Sequence, residues 1–220
     1  NGVRCKSVEK KDLIHYQKNG CSSMKFGIES GSQTMLDIME KKFEVKDIKK
    51  AIFSCIEIGL RSPLQGFMVG MPGETIRTAK ESGVLLGELA AKERVPLKYI
   101  YNDNGIFYCI PLVGTPMYEY GKQLGLIGKT VDEEERYLEI TSNISQHKRY
   151  YLNFNGAPMS EVVFWDMLVL LEATRTYVKL MKGKTEDENL KKKYEIQLKL
   201  QGINPQRKSK ERKVAVMGGS

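Results

Sequence analysis

The sequence predicts an α/β protein with a parallel sheet, followed by a helical C-terminal extension. Three observations carry this reading. Short apolar runs alternate with longer helical patterns at roughly 35–40 residue spacing, each joined by a turn containing glycine. Polar, glycine-rich turns sit at the ends of the apolar runs, at residues 29–32, 70–75 and 114–115. Beyond residue 130 the alternation stops and helical patterns take over. The sheet can close as part of a barrel or lie open. In either form, ligands gather at the C-terminal ends of the strands.

The elements follow in order. Val3-Arg-Cys5 reads as a strand remnant, and the lack of an initiating Met before it reads as a fragment. Residues 8–19 form a helix, with Ser7 as N-cap and Gly20 as its stop. Residues 23–28 are a strand, and residues 33–41 a short helix with Met35, Leu36 and Met39 on one face. Residues 46–58 place Ile48, Ile52, Cys55 and Ile56 at helical spacing, with Gly59 after them. A strand over 64–69 leads through Gly70-Met-Pro-Gly-Glu-Thr75 into a helix over 76–93. Strands follow over 97–101 and 106–112, with the turn Asn102-Asp-Asn-Gly105 between them. Residues 116–125 form a short helix, with Thr115 as N-cap and Pro116 at its first position. Residues 131–145 are acidic and helical, residues 148–155 mix aromatic and polar side chains, and residues 160–181 form a long apolar helix.

Composition narrows the function classes. No apolar run approaches the ~18 residues that a membrane-spanning helix needs. The four cysteines, Cys5, Cys21, Cys55 and Cys109, contain no C-x-x-C pair. That argues against a structural zinc site or a disulfide framework, and for reduced thiols in the cytoplasm. His15 and His147, the two histidines, lie in polar segments without a triad or metal-ligand pattern. The net charge of +8 is concentrated in residues 191–213, which hold nine Lys/Arg and two Glu and so contribute +7. Such a tail suits nucleic acid or an anionic surface, but a solvated extension is the favoured reading.

Three segments carry chemistry. Gly27-Ile-Glu-Ser-Gly-Ser-Gln33 delivers a carboxylate and two hydroxyls from a strand onto a helix start. Glu29 can accept hydrogen bonds from ribose hydroxyls or an ammonium, and the small residues let a ligand approach the backbone. The same pattern also fits a plain capping turn at Ser32. Lys41 closes the short helix and can pair with a ligand carboxylate, or simply complement the helix dipole. Gly66-Phe-Met-Val-Gly-Met-Pro-Gly-Glu-Thr75 places apolar residues where they could flank a flat base, and fits equally a strand with a Pro-Gly turn.

Together these segments resemble one family. Gly20-Cys21, Lys25-Phe-Gly-Ile-Glu-Ser-Gly-Ser-Gln33, Leu36-Asp-Ile-Met-Glu-Lys41, the segment from Gly66 to Thr75, and Pro111-Leu-Val-Gly-Thr-Pro-Met-Tyr118 follow the order and spacing of radical S-adenosylmethionine (radical SAM) enzymes. The wording is closest to the subgroup that often carries a cobalamin-binding domain. The resemblance covers residues 1–130 and implies a partial (β/α) TIM-like barrel fragment. A helical cap over 131–190 and a basic tail over 191–220 complete the domain organisation.

By this resemblance Glu29 and Ser30 contact the ribose and amino-acid end of S-adenosylmethionine, with Gly31 and Ser32 in the same cofactor-binding turn, and Lys41 meets its carboxylate. Phe67, Met68 and Gly70 flank adenine. Met68 stands where the family usually has Ile, and Val113 where it usually has Pro. The implied cofactors are S-adenosylmethionine, a [4Fe-4S] cluster and, for the subgroup, cobalamin. The family holds its cluster on C-x-x-x-C-x-x-C, which does not occur here. The cluster ligands are therefore expected outside residues 1–220, and this fragment alone is expected to be inactive.

The resemblance implies a cytoplasmic enzyme acting on a small-molecule substrate, by a 5′-deoxyadenosyl radical or by supporting methyl transfer. A nucleic-acid partner at residues 191–213 is the less favoured reading. One alternative is a tRNA methylthiotransferase, although those usually read Gln-Ser-Gly-Ser where this chain has Glu29-Ser-Gly-Ser32. The other is a non-catalytic, degenerate barrel that binds a nucleotide or a protein.

Overall fold

The structure, a computed structural model, describes residues 2–94, 105–141, 148–181, 191, 192, 195, 196 and 199. Parallel pairing of successive chain segments organises its first half. Strands β1 (Phe67–Val69) and β2 (Ile106–Tyr108) form a two-stranded parallel sheet. Isolated parallel bridges extend the pairing backward along the chain, from Phe67 to Glu29 and from Phe26 to Val3. The described residues are mixed α and β, mostly helical, and display no closed barrel.

The paired segments are shorter than their apolar runs predict, and the backbone explains why. Gly66 (φ 91°) and Gly70 (φ 82°) leave extended geometry on either side of β1. Pro111 has no N–H to continue the ladder beyond β2. Glu29 is left-handed (φ 63°), so the segment over 23–28 turns away directly after its bridge to Phe67. That segment pairs only through single bridges.

The helices match the apolar periodicity more closely. They are α1 (Lys10–Lys18), α2 (Gln33–Ile38), α3 (Val45–Ile58), α4 (Ile76–Glu93), α5 (Pro116–Gln123), α6 (Val131–Thr141), α7 (Met159–Val162) and α8 (Trp165–Leu180). Ser7 does not cap α1, because a 3-10 turn over Cys5–Ser7 takes it up. Glu9 caps the helix instead, in a capping box with Asp12. Gly59 (φ 72°) ends α3, and Thr75 caps α4 by accepting the Thr78 amide. Thr115 caps α5 in the same way through Tyr118, with Pro116 following. The helix predicted over 160–181 is broken into α7 and α8. There the Tyr108 hydroxyl lies 3.1 Å from the Val162 carbonyl and 3.0 Å from Asp166 Oδ1, and accepts the Asp166 amide. The predicted strand over 97–101, most of the turn at 102–105, His147 and most of the basic tail fall outside the described residues.

The core lies between the paired segments and the helices. Phe26, Ile28, Phe67 and Val69 meet Leu13, Leu36, Ile48, Ile52, Leu85, Leu89, Trp165 and Leu168 in one buried cluster. A second, smaller cluster joins Tyr118, Ile127 and Tyr137 beyond β2.

The packing of α4 on α8 has a specific cause. A Cβ at Gly83 would stand 2.5 Å from the Val169 carbonyl oxygen, and one at Gly87 would overlap the Ala173 carbonyl. Both glycines are where α8 lies against the α4 backbone. Overpacking of this kind costs about 1–3 kcal/mol, and more where backbone must move. Gly87→Val is therefore expected to destabilise the protein by about 3 kcal/mol in urea unfolding. Val84→Ala on the exposed side should change stability by less than about 0.5 kcal/mol.

Candidate functional site

The site is built where the segment after Phe26 meets the segment before β1. Glu29 is held in the ladder on both sides of its peptide. Its amide donates to the Gly66 carbonyl (2.9 Å), and its carbonyl accepts from the Met68 amide (2.7 Å). Its carboxylate folds back over Gly27, where a Cβ would lie 3.2 Å from Oε1.

Lys41 reaches this carboxylate from the turn after α2. The helix ends at Ile38, three residues earlier than predicted, in a Schellman turn. The Glu40 amide donates to the Asp37 carbonyl and the Lys41 amide to that of Leu36, both at 3.0 Å. The turn aims Lys41 Nζ at Glu29 Oε1, 2.9 Å away. Arg4 Nη2 donates to the Lys41 carbonyl at 2.9 Å and ties the turn to the first paired segment. Sequence positions 4, 29, 41 and 66–68 thus converge.

The backbone around this ion pair is strained. Four described non-glycine residues have positive φ: Glu29 (63°), Glu40 (51°), Lys42 (56°) and Arg94 (59°). Three of them are Glu29 itself and the two neighbours of Lys41. A left-handed conformation costs a non-glycine residue about 1–2 kcal/mol. The pair's side chains keep 21% and 33% of their surface exposed, and such pairs return only about 0.2–1 kcal/mol. Stability gained from the pair therefore does not offset the strain that positions it. Strain of this kind clusters at functional sites.

The other residues singled out from the sequence are placed differently. Ser30 is fully buried, with its hydroxyl 3.0 Å from Ser82 Oγ on α4 and accepting the Ser32 amide at 3.1 Å. The Gly31 amide donates to Ser82 Oγ, and a Cβ on Gly31 would stand 2.6 Å from Ser82 Cα. Gly31 therefore makes room for α4. Ser32 occupies the N-cap position of α2 without a side-chain capping bond, and its hydroxyl is buried without a hydrogen-bond partner. Phe67 is fully buried in the core cluster, while Met68, by strand alternation, lies on the opposite face and stays half-buried. Gly70 is enclosed: a Cβ there would overlap the Tyr151 ring. Its carbonyl accepts from the Tyr151 hydroxyl (2.9 Å) and from Asn155 Nδ2 (3.2 Å).

Glu74, which the sequence offered only as part of a turn, closes the loop after β1. Its carboxyl accepts the Gly70 amide at 2.5 Å. Burial pushes its pKa up to about 8, against the lowering effect of the Gly70 and Met71 amides. The motif Pro-Gly-Glu, four residues after a strand glycine, was the available signal. Tyr151 and Asn155 had none, being about 80 residues away from Gly70 in the chain.

Burial raises the Cys5 and Cys109 thiols to about 12 and Cys55 to about 11, so all three are neutral core thiols in this fold. Among the described residues, no group of three or more His, Cys, Asp or Glu could hold a metal ion. A [4Fe-4S] cluster does not fit the cysteines described. No described helix is long and apolar enough to cross a membrane. No protein-family model matches the chain, and no curated protein matches it significantly.

Two outcomes follow from this geometry. Glu74 is protonated in the fold between pH ~4.5 and ~8 but ionised in the unfolded chain. Unfolding there releases a proton, so its contribution is full below pH ~4.5 and is lost as pH rises to ~8. In urea unfolding across that range, Glu74→Gln should have a flatter pH dependence than the native protein. Glu40→Gly removes the left-handed penalty at the Schellman position and is expected to raise stability by about 1 kcal/mol. The shift in urea midpoint measures it.

Proposed function

We propose that this chain is the S-adenosylmethionine-facing part of a radical SAM enzyme, with its paired segments belonging to a partial (β/α) barrel. One observation carries the reading: the Glu29–Lys41 pair on strained backbone at the end of a parallel-paired segment. A carboxylate and an ammonium side by side suit a zwitterionic amino-acid group, with ligand ammonium to Glu29 and ligand carboxylate to Lys41. Met68 offers an apolar, half-buried side chain near the same ladder positions. The contribution of residues 1–220 is binding and orientation. The cluster is expected from outside these residues, and no step of the proposal runs through it. The substrate is a small molecule, and cobalamin remains an implication of the subgroup resemblance alone.

A second reading is a non-catalytic barrel relative that binds a nucleotide or a protein. The enclosure of Gly70 by Tyr151 favours its protein-binding form, because that side of the expected adenine position is filled.

Calorimetric titration with S-adenosylhomocysteine, which needs no reductant, tests the first reading. Binding should be measurable. Glu29→Gln and Lys41→Met should each weaken it about tenfold, the scale of one charge-assisted contact. Lys46→Met, in the exposed Lys46–Glu44 pair, should leave it unchanged. No binding, or binding indifferent to positions 29 and 41, removes the proposal.

A further inference from the structure

The two groups proposed to receive the ligand's amino-acid end are bonded to each other. Lys41 Nζ lies 2.9 Å from Glu29 Oε1, and the left-handed residues Glu29, Glu40 and Lys42 fix both partners in that register. Arg4 holds the Lys41 carbonyl in place, so the turn is anchored from outside the pair. We infer that the Glu29–Lys41 pair is a self-mask: the site's two charges neutralise each other at rest, and a ligand enters by exchanging that pair for its own ammonium and carboxylate.

This rests on the reading of Glu29 and Lys41 as ligand contacts, and adds what they do before a ligand arrives. Exchange of one ion pair for two keeps every charge matched. A ligand bearing only one of the two charges cannot do so. It must break the pair and leave one partner uncompensated in a part-buried place, so it binds more weakly. The mask therefore selects zwitterions over amines or acids of the same shape. The strained backbone keeps the charges together in the absence of ligand, where two free side chains on relaxed loops would drift into solvent.

The consequence is specific. Removing either partner unmasks the other. Calorimetric titrations of the native chain, Lys41→Met and Glu29→Gln would use three probes: S-adenosylhomocysteine, its decarboxylated amine analogue, and its deaminated carboxylate analogue. Lys41→Met should bind the amine analogue roughly two- to fivefold more tightly than the native chain does, matching the worth of a part-exposed pair. Glu29→Gln should do the same for the carboxylate analogue. Both variants should bind S-adenosylhomocysteine more weakly than the native chain. If S-adenosylhomocysteine is weakened but neither analogue gains, the mask is wrong and the ligand-contact reading stands. If no substitution changes S-adenosylhomocysteine binding, both fail together.

Discussion

Backbone contact between α4 and α8 is the constraint on which the rest of the structure depends. Gly83 and Gly87 carry no side chain where α8 crosses, and the Val169 and Ala173 carbonyls, with the Glu172 and Thr176 Cβ atoms, occupy the space. With α8 in place, α4 presents its other sides to the remaining elements. Leu85, Leu86 and Leu89 complete the core, and Ser82 receives the turn at Ser30 and Gly31. That turn follows Glu29 directly. The turn that carries the chain away from the carboxylate is therefore held by hydrogen bonds to a helix some 50 residues further on, whose approach to α8 two glycines permit.

This arrangement changes the meaning of the glycine-rich turn. As a string, Glu29-Ser-Gly-Ser32 offers four small or polar residues to a ligand. In three dimensions Ser30 and Gly31 are spent on α4, Ser32 is buried, and Glu29 is left with Lys41 as its partner. A similar separation occurs at Gly66–Gly70. Phe67 and Val69 belong to the core, Gly70 is covered by Tyr151, and Met68 remains half-buried on the other face. The candidate site is smaller than the motifs that pointed to it, and it consists of one ion pair and one apolar neighbour.

Much of the helical framework was legible because its signals are local. The apolar spacing of residues 48, 52 and 55, the stop at Gly59, and Thr75 and Thr115 as caps each depend on neighbours within one or two turns. The parallel order of the paired segments was likewise readable from the alternation of runs and helices. The failures share a different cause. Ser7 lost its capping role to a 3-10 turn, and the long C-terminal helix broke because a tyrosine from β2 reached its backbone. The strand lengths in the apolar runs exceed the paired ones where the positive-φ Gly66 and a proline at 111 interrupt extended pairing. Glu29 and Lys41 were both legible as candidates, but nothing in the string shows that they touch.

The single peptide unit at Gly70 has a bearing on how the molecule is made. Its carbonyl is held by Tyr151 and Asn155, across separations of 81 and 85 residues, and Tyr108 reaches Asp166 across 58. Closing loops of that length carries an entropic cost that grows only slowly with length, but it must be met before the contacts return anything. During synthesis the first helices and their paired segments leave the ribosome with their core partners nearby. The end of β1 stays unsealed until residue 155 has emerged, and α4 lacks its cover until α8 follows. The chain's last described long helix thus sets the earliest moment at which its first half can become native.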